Sequence, residues 1–222
     1  GDGAFGQFMI VMPEQDAVIA ITAETPNMQE EINLVWQYLL PAFKENKLPA
    51  DAVAVARLKE KINALALPLP QKNKETPGIA ISGKNFVAVA NKLHLQNISF
   101  KFSNDLCKVK FQTDGGSYSI DFSDGKWQLG ETNMPGPSLT ANAIENTSML
   151  YPAKIAGSYS WKDPNTLELV LRYIESPHSE KLVCHFQDNK LTIEVMRSID
   201  FGSNKMTIEA EGKMKCRSQN SK

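Results

Sequence analysis

The side chains best equipped for nucleophilic, acid–base or metal chemistry are three histidines, His94, His178 and His185, and three cysteines, Cys107, Cys184 and Cys216. A nucleophilic serine needs an activating base beside it. Ser176 and Ser179 flank His178, but Pro177 breaks the stretch into a loop and nothing positions a triad there. His185 alternates outward on an expected strand and His94 precedes one, so the histidines are read as surface groups. The cysteines are widely spaced, with no Cys-x-x-Cys pair and no Cys/His cluster, so no metal is expected. Cys107 and Cys184 fall on inward strand positions, where cysteine behaves as a small hydrophobe, and Cys216 lies in a polar tail. Glu168, Arg172, Glu175 and Arg197 are placed to face one another across adjacent strands, as solvated pairs that each contribute roughly a few tenths of a kcal/mol.

The strands that would position these groups are written in period two. Leu167, Leu169, Leu171 and Tyr173 alternate with Glu168, Val170, Arg172 and Ile174. Leu182, Cys184 and Phe186 repeat the pattern, Asp188-Asn189 turns the chain, and Leu191, Ile193 and Val195 follow. This is an antiparallel meander. Upstream, Phe86–Val89, Leu95–Phe102, Cys107–Phe111, Tyr118–Phe122 and Trp127–Leu129 form further strands, punctuated by Asn104-Asp105, Asp114-Gly115-Gly116 and Asp124-Gly125. Strand resumes at Ala156–Trp161, and Met206, Ile208, Ala210 and Met214 close the series. About ten strands in about 140 residues is the scale of a lipocalin-like barrel or a sandwich. The inward residues are mostly Phe, Tyr, Trp and Leu, which favours an interior filled by side chains. Met134–Tyr151, rich in Pro, Gly, Asn, Thr and Ser, is a long loop of the functional or mobile kind.

The amino-terminal part reads differently. Phe8–Met12 and Ala17–Thr22 are continuous apolar runs around a Pro13-Glu14-Gln15-Asp16 turn, the pattern of strands covered on both faces. A helix follows: Asn27 and Glu30 fit a capping box, Glu30-Glu31 complement its positive end, and Met28, Ile32, Val35, Leu39 and Phe43 form a stripe widened by Trp36 and Leu40. A hairpin with one helix cannot bury that much apolar surface alone. A second helix starts at Pro49 and Asp51, carries Ala54, Leu58, Ile62 and Leu65, and ends at Pro68-Leu69-Pro70; it is read as a packed connector.

Gly1-Asp2-Gly3-Ala4-Phe5-Gly6-Gln7, followed by strand, turn, strand and helix, resembles the closing segment of the bacterial β-lactamase-related, penicillin-binding-protein-like serine hydrolases, which include class C β-lactamases, esterases and D-aminopeptidases. Gly1-Asp2-Gly3 takes the place of that family's Lys-Thr-Gly or His-x-Gly triplet and Gly6 that of its later glycine. Glycine there lets substrate lie against the strand backbone. Leu48-Pro49-Ala50-Asp51 and Leu65–Pro70 look like the family's connector, and Ser160–Asp163 with Leu171–Glu175, Phe186 and Arg197 like its accessory β-domain. The resemblance implies a C-terminal fragment whose partner is a missing N-terminal hydrolase domain, periplasmic or extracytoplasmic in the parent, with the barrel supporting that domain or shaping substrate access through the Met134–Tyr151 loop. The family's cationic or imidazole first position is glycine here, Asp2 replaces a small hydroxyl residue, no Ser-x-x-Lys precedes a helix and no Tyr-x-Asn occurs. The fragment is therefore expected to be inactive towards esters, amides and β-lactams.

The 222 residues thus divide into 1–46, a terminal hairpin and helix; 47–75, connector helix and linker; 76–216, the β-domain; and 217–222, a disordered tail. The fold class is mainly β with two N-terminal helices, α+β overall. A net charge of −1 and the lack of a basic stripe exclude nucleic acid as a partner, and no apolar run spans a bilayer. No export signal opens the chain and no cofactor is implied. Uncovered hairpin and helix surfaces predict a homodimer through residues 1–46. Two other functions compete with the hydrolase fragment: a stand-alone lipocalin-like barrel for a small ligand, marked by an interior cavity of more than a few hundred cubic ångströms, and a structural interaction module.

Overall fold

The computed structural model describes residues 1–71, 81–137, 152–198 and 205–213. The chain forms two units, Gly1–Pro68 and Leu69–Lys222. In the first, β1 (Asp2–Gly3), β2 (Gln7–Met12) and β3 (Ala17–Ile21) make an antiparallel sheet, with Val11 opposite Val18 and Met9 opposite Ala20. Met9, Val11 and Val18 are exposed, so the hairpin is uncovered on one face, contrary to the reading of its apolar runs as covered on both. α1 (Met28–Leu34) is capped as expected: Asn27 Oδ1 accepts the Glu30 N–H and Asn27 Nδ2 donates to the Glu30 carboxylate. The helix then widens into a π turn at Val35–Leu39 and ends in a 3-10 turn at Leu40–Ala42. Pro41 accounts for this, because it offers no N–H to the ladder and its ring crowds the preceding turn. Of this unit's large apolar side chains only Phe5, Met12 and Val35 are buried. α2 (Ala52–Asn63), capped by Asp51 on the Ala54 N–H, is exposed along its whole length and buries no side chain, which differs from its reading as a packed connector.

The second unit holds β4 (Asn85–Ala88), β5 (Leu95–Ser103), β6 (Leu106–Thr113), β7 (Gly116–Asp124), β8 (Gln128–Thr132), β9 (Ala153–Asp163), β10 (Thr166–Tyr173), β11 (Ser179–Gln187), β12 (Lys190–Arg197) and β13 (Met206–Lys213). Neighbours pair in the order β10-β11-β12-β13-β4-β5-β6-β7-β9, and β9 also pairs β10, so nine strands close into a barrel while β8 pairs the first half of β9. The fold is mainly β, a closed lipocalin-like barrel, with two helices in the other unit. All pairings around the ring are antiparallel except β7 with β9, which run parallel where Ser123 meets Ser158 and Asp124 meets Tyr159. At this seam the two backbones nearly touch: a Cβ on Gly157 would lie 2.6 Å from the Asp121 carbonyl oxygen. Ser158 Oγ ties the seam by donating to the Ser123 carbonyl at 3.1 Å.

Alternation sends the large residues inward, as the period-two pattern required. The interior is not filled evenly. Phe86, Phe100, Phe102, Phe186, Tyr159 and Trp161 gather in one region, with ring centroids 5.5–6.1 Å apart and mostly edge-on or tilted. The rest of the interior is lined by aliphatic residues with Phe111 and Phe122 among them, and leaves space.

Candidate functional site

That space is a chamber of about 430 Å³, walled by residues that include Leu171, Leu182, Ile193, Val195 and Ile208. The expectation of an interior filled by side chains holds only where the rings gather. Against the apolar wall, among the described residues, stands a largely buried polar cluster. Glu180 is the second residue of β11 and Arg197 ends β12, directly opposite each other in the antiparallel register and on the same face. Both belong by parity to the inward rows, Glu180 with Leu182 and Cys184, Arg197 with Val195 and Ile193. Arg197 Nε donates to Glu180 Oε1 at 2.7 Å, and the Tyr173 hydroxyl donates to Glu180 Oε2 at 3.2 Å. Glu180 is 7% exposed and Arg197 25%. Both carboxylate oxygens are engaged, and the charges of the pair cancel.

Exposed residues mark the mouth. His94, held at φ 53°, pairs with Asp114 at 3.0 Å, and both line the chamber. Asn91 builds the turn beneath them: its Oδ1 accepts from the Leu93 and Leu95 N–H groups, and its Nδ2 donates to the Val89 and Leu95 carbonyls. Gln96 donates to the other Asp114 oxygen at 2.6 Å. Met134, Pro135 and Gly136 border the opening on the other side. A Cβ on Gly136 would sit 2.7 Å from the Tyr173 ring, so this segment lies directly on the tyrosine of the polar cluster. Of the expected Met134–Tyr151 loop, residues 138–151 lie outside the described residues.

The residues singled out by sequence are mostly elsewhere. Glu168, Arg172, Glu175 and Arg197 do not face one another. Glu168 is buried on the outer face of the barrel between Lys162 and Lys181, at 3.6 and 3.5 Å. Glu175 pairs with Lys154 at 2.8 Å, and Arg197 turns inward to Glu180. His185 is exposed on β11, its Nδ1 3.2 Å from Thr166 Oγ1. Cys107 and Cys184 are buried as free thiols, while Cys216 lies outside the described residues. Burial pushes both thiols above their ordinary value of 9.0, and at Cys107 the nearby Cys184 and Asp121 add to the shift. Burial also pushes the Tyr159 phenol up to about 12, with Asp124 adding to it. Among the described residues no three His, Cys, Asp or Glu side chains converge on a metal position. Among them, too, no helix is long and apolar enough to cross a membrane.

Gly1, Asp2, Gly3 and Gly6 lie together at the edge of the small sheet. Gly1 exchanges hydrogen bonds with Met9, Asp2 stands opposite Phe8 and is exposed, and Gly3 stands opposite Gln7. Gly6, at φ 93°, has the Glu31 carboxylate in the space a Cβ would take. A Ser-x-x-Lys spacing does occur at Ser123 and Lys126, but at a strand end: Ser123 is fully buried and its Oγ donates to the Asp105 carbonyl.

No family model and no curated protein matches the chain. Solved structures do. A fatty-acid-binding protein from Drosophila melanogaster brain has 13% identity and a TM-score of 0.41, covering 59% of this chain and 98% of that one. A Schistosoma mansoni fatty acid binding protein, in complex with arachidonic acid, has 8% identity and a TM-score of 0.44 over 63% of this chain and all of that one. Lipid binding protein 8 of Caenorhabditis elegans has 9% identity and a TM-score of 0.43 over 64% of this chain. Nothing in these comparisons points to a β-lactamase-related serine hydrolase, and the resemblance drawn from Gly1-Asp2-Gly3 and Gly6 is overturned. The physical reason is that a short glycine-rich edge followed by hairpin and helix is a generic pattern. Here, moreover, the space beside the later glycine, Gly6, is taken by the Glu31 carboxylate.

Proposed function

We propose that the barrel binds one small, largely apolar molecule in its chamber, with the polar end of the ligand at Glu180, Arg197 and Tyr173. The observation that carries this reading is the chamber of about 430 Å³, within the range of small-molecule sites of roughly 300–1,000 Å³ and larger than native packing leaves by accident. Its apolar wall supplies the driving force, and the largely buried Glu180–Arg197–Tyr173 cluster supplies orientation. The ring cluster sets how deep the ligand reaches, and the His94–Asp114 and Met134–Gly136 segments border its path.

The test is fluorescence titration of the protein with Nile red, an apolar dye that brightens on leaving water. Saturable binding at one site per chain is expected. Val195→Trp, which places an indole in the chamber, should abolish the signal while far-UV circular dichroism stays that of a β-barrel. Equal dye binding by the folded Val195→Trp variant would place the dye elsewhere and sink the reading.

A further inference from the structure

We infer that the chamber selects neutral amphiphiles, alcohols or amides on an aliphatic body, over carboxylates and amines, because the cation and anion set in its apolar wall, Arg197 and Glu180, are already spent on each other, while the other charged groups described in its lining, Lys92, His94 and Asp114, are exposed to water. This rests on the ligand-binding reading above and adds the chemical class of the head group. Glu180 and Arg197 sit across one register position, joined at 2.7 Å, and the second Glu180 oxygen takes the Tyr173 hydroxyl.

Consider each head group at this cluster. A carboxylate that reaches Arg197 must share the guanidinium with Glu180 and so brings two anions together in a space of low dielectric. To avoid that it must expel Glu180, which is 7% exposed and would lose its counter-charge while keeping the Tyr173 bond. An unpaired buried charge is among the costliest groups a protein can hold. An ammonium head meets the same obstacle with the signs reversed, since Glu180 is held by Arg197. A hydroxyl or amide faces neither penalty. It accepts from the guanidinium, which carries several N–H donors beyond the Nε–H given to Glu180, and donates to a carboxylate oxygen, which has more than one lone pair. The pair is therefore kept and extended, and hydrogen bonds to ionised groups are the stronger kind.

The test compares dodecanol, dodecanoate and dodecylamine, which share one chain and differ in the head, as competitors of Nile red on the full chain at neutral pH. Dodecanol is expected to displace the dye at least about tenfold more effectively than either ion. Glu180→Gln frees the guanidinium and should move dodecanoate ahead of dodecanol. Arg197→Gln frees the carboxylate and should move dodecylamine ahead. The ranking on the unaltered protein decides the matter even if a variant fails to fold. Dodecanoate displacing the dye as well as dodecanol would overturn the selectivity while leaving the ligand chamber intact. Failure of the dye and all three amphiphiles to bind would remove the chamber reading and this inference together.

Discussion

Cys107 and Cys184 have no solvent exposure, and burial holds both thiols protonated well past the pH at which a free cysteine ionises. Two consequences can be measured. Iodoacetamide should label neither residue in the native protein at neutral pH, and both once urea unfolds it, as peptide mass spectrometry would read; rapid native labelling of either would contradict their burial. The second concerns stability. Above about pH 9 the unfolded chain releases these two protons and the folded chain keeps them, so the unfolded state binds fewer protons and stability falls as pH rises. Tyr159, raised to about 12, adds a third proton above its ordinary value of 10.0. The urea midpoint should therefore decline from about pH 9 upward, more steeply above 10; a flat profile there would refute the shifts. The inward placement of both cysteines was legible from parity alone. Glu180 and Arg197 have the same parity, yet a charged residue at a strand end is ordinarily read as solvated, and only the pairing of two distant strands shows that they meet. Extending the inward rows by one position at each end would have found them. Glu180→Ala strands Arg197 at 25% exposure and should cost about 1–3 kcal/mol by urea unfolding. Removing the exposed Glu175 partner of Lys154 should leave the midpoint where it is.

At the scale of elements, turns and alternation gave the strands of the barrel close to their observed ends, because each is half-buried and its side chains carry the signal. The closure was not legible. β7 and β9 pair in parallel over two positions across a separation that no local pattern records, and Gly157 is the one residue whose type reports it. Its Cβ would overlap the Asp121 carbonyl at 2.6 Å and stand 3.0 Å from the Phe122 ring, so Gly157→Val must spread the seam. A loss of about 1–3 kcal/mol or more is expected, from a clash with backbone that cannot rotate away. Gly130, on the neighbouring β8, meets nothing nearer than 3.9 Å, and Gly130→Ala should cost far less. Equal losses at the two positions would refute the seam. The apolar runs of β2 and β3 show the opposite failure: a continuous run reads as doubly covered, but composition states only that residues are apolar and cannot say whether anything lies over them.

For the molecule as a whole, the same distinction predicts uneven stability. The barrel's ladders are shielded by buried rows such as Leu169, Cys184 and Ile193, each 0% exposed, so their amides should open only when the unit unfolds. α2 has 12 residues, exposed throughout, and a helix of that length without packing is marginal in water. Hydrogen exchange on the full chain should therefore show Ala52–Asn63 exchanging within seconds while β10 to β12 stay protected for hours. A ligand that enters the chamber binds only the folded barrel and stabilises it by about 2.7 kcal/mol at a hundredfold excess over its Kd. Saturating dodecanol should slow exchange in β10 to β12 accordingly and leave α2 unchanged. Protection of α2 equal to that of the barrel strands would mean that in solution its Leu58, Ile62 and Leu65 stripe is covered, whereas protection of the strands that ignores the ligand would place binding outside the barrel.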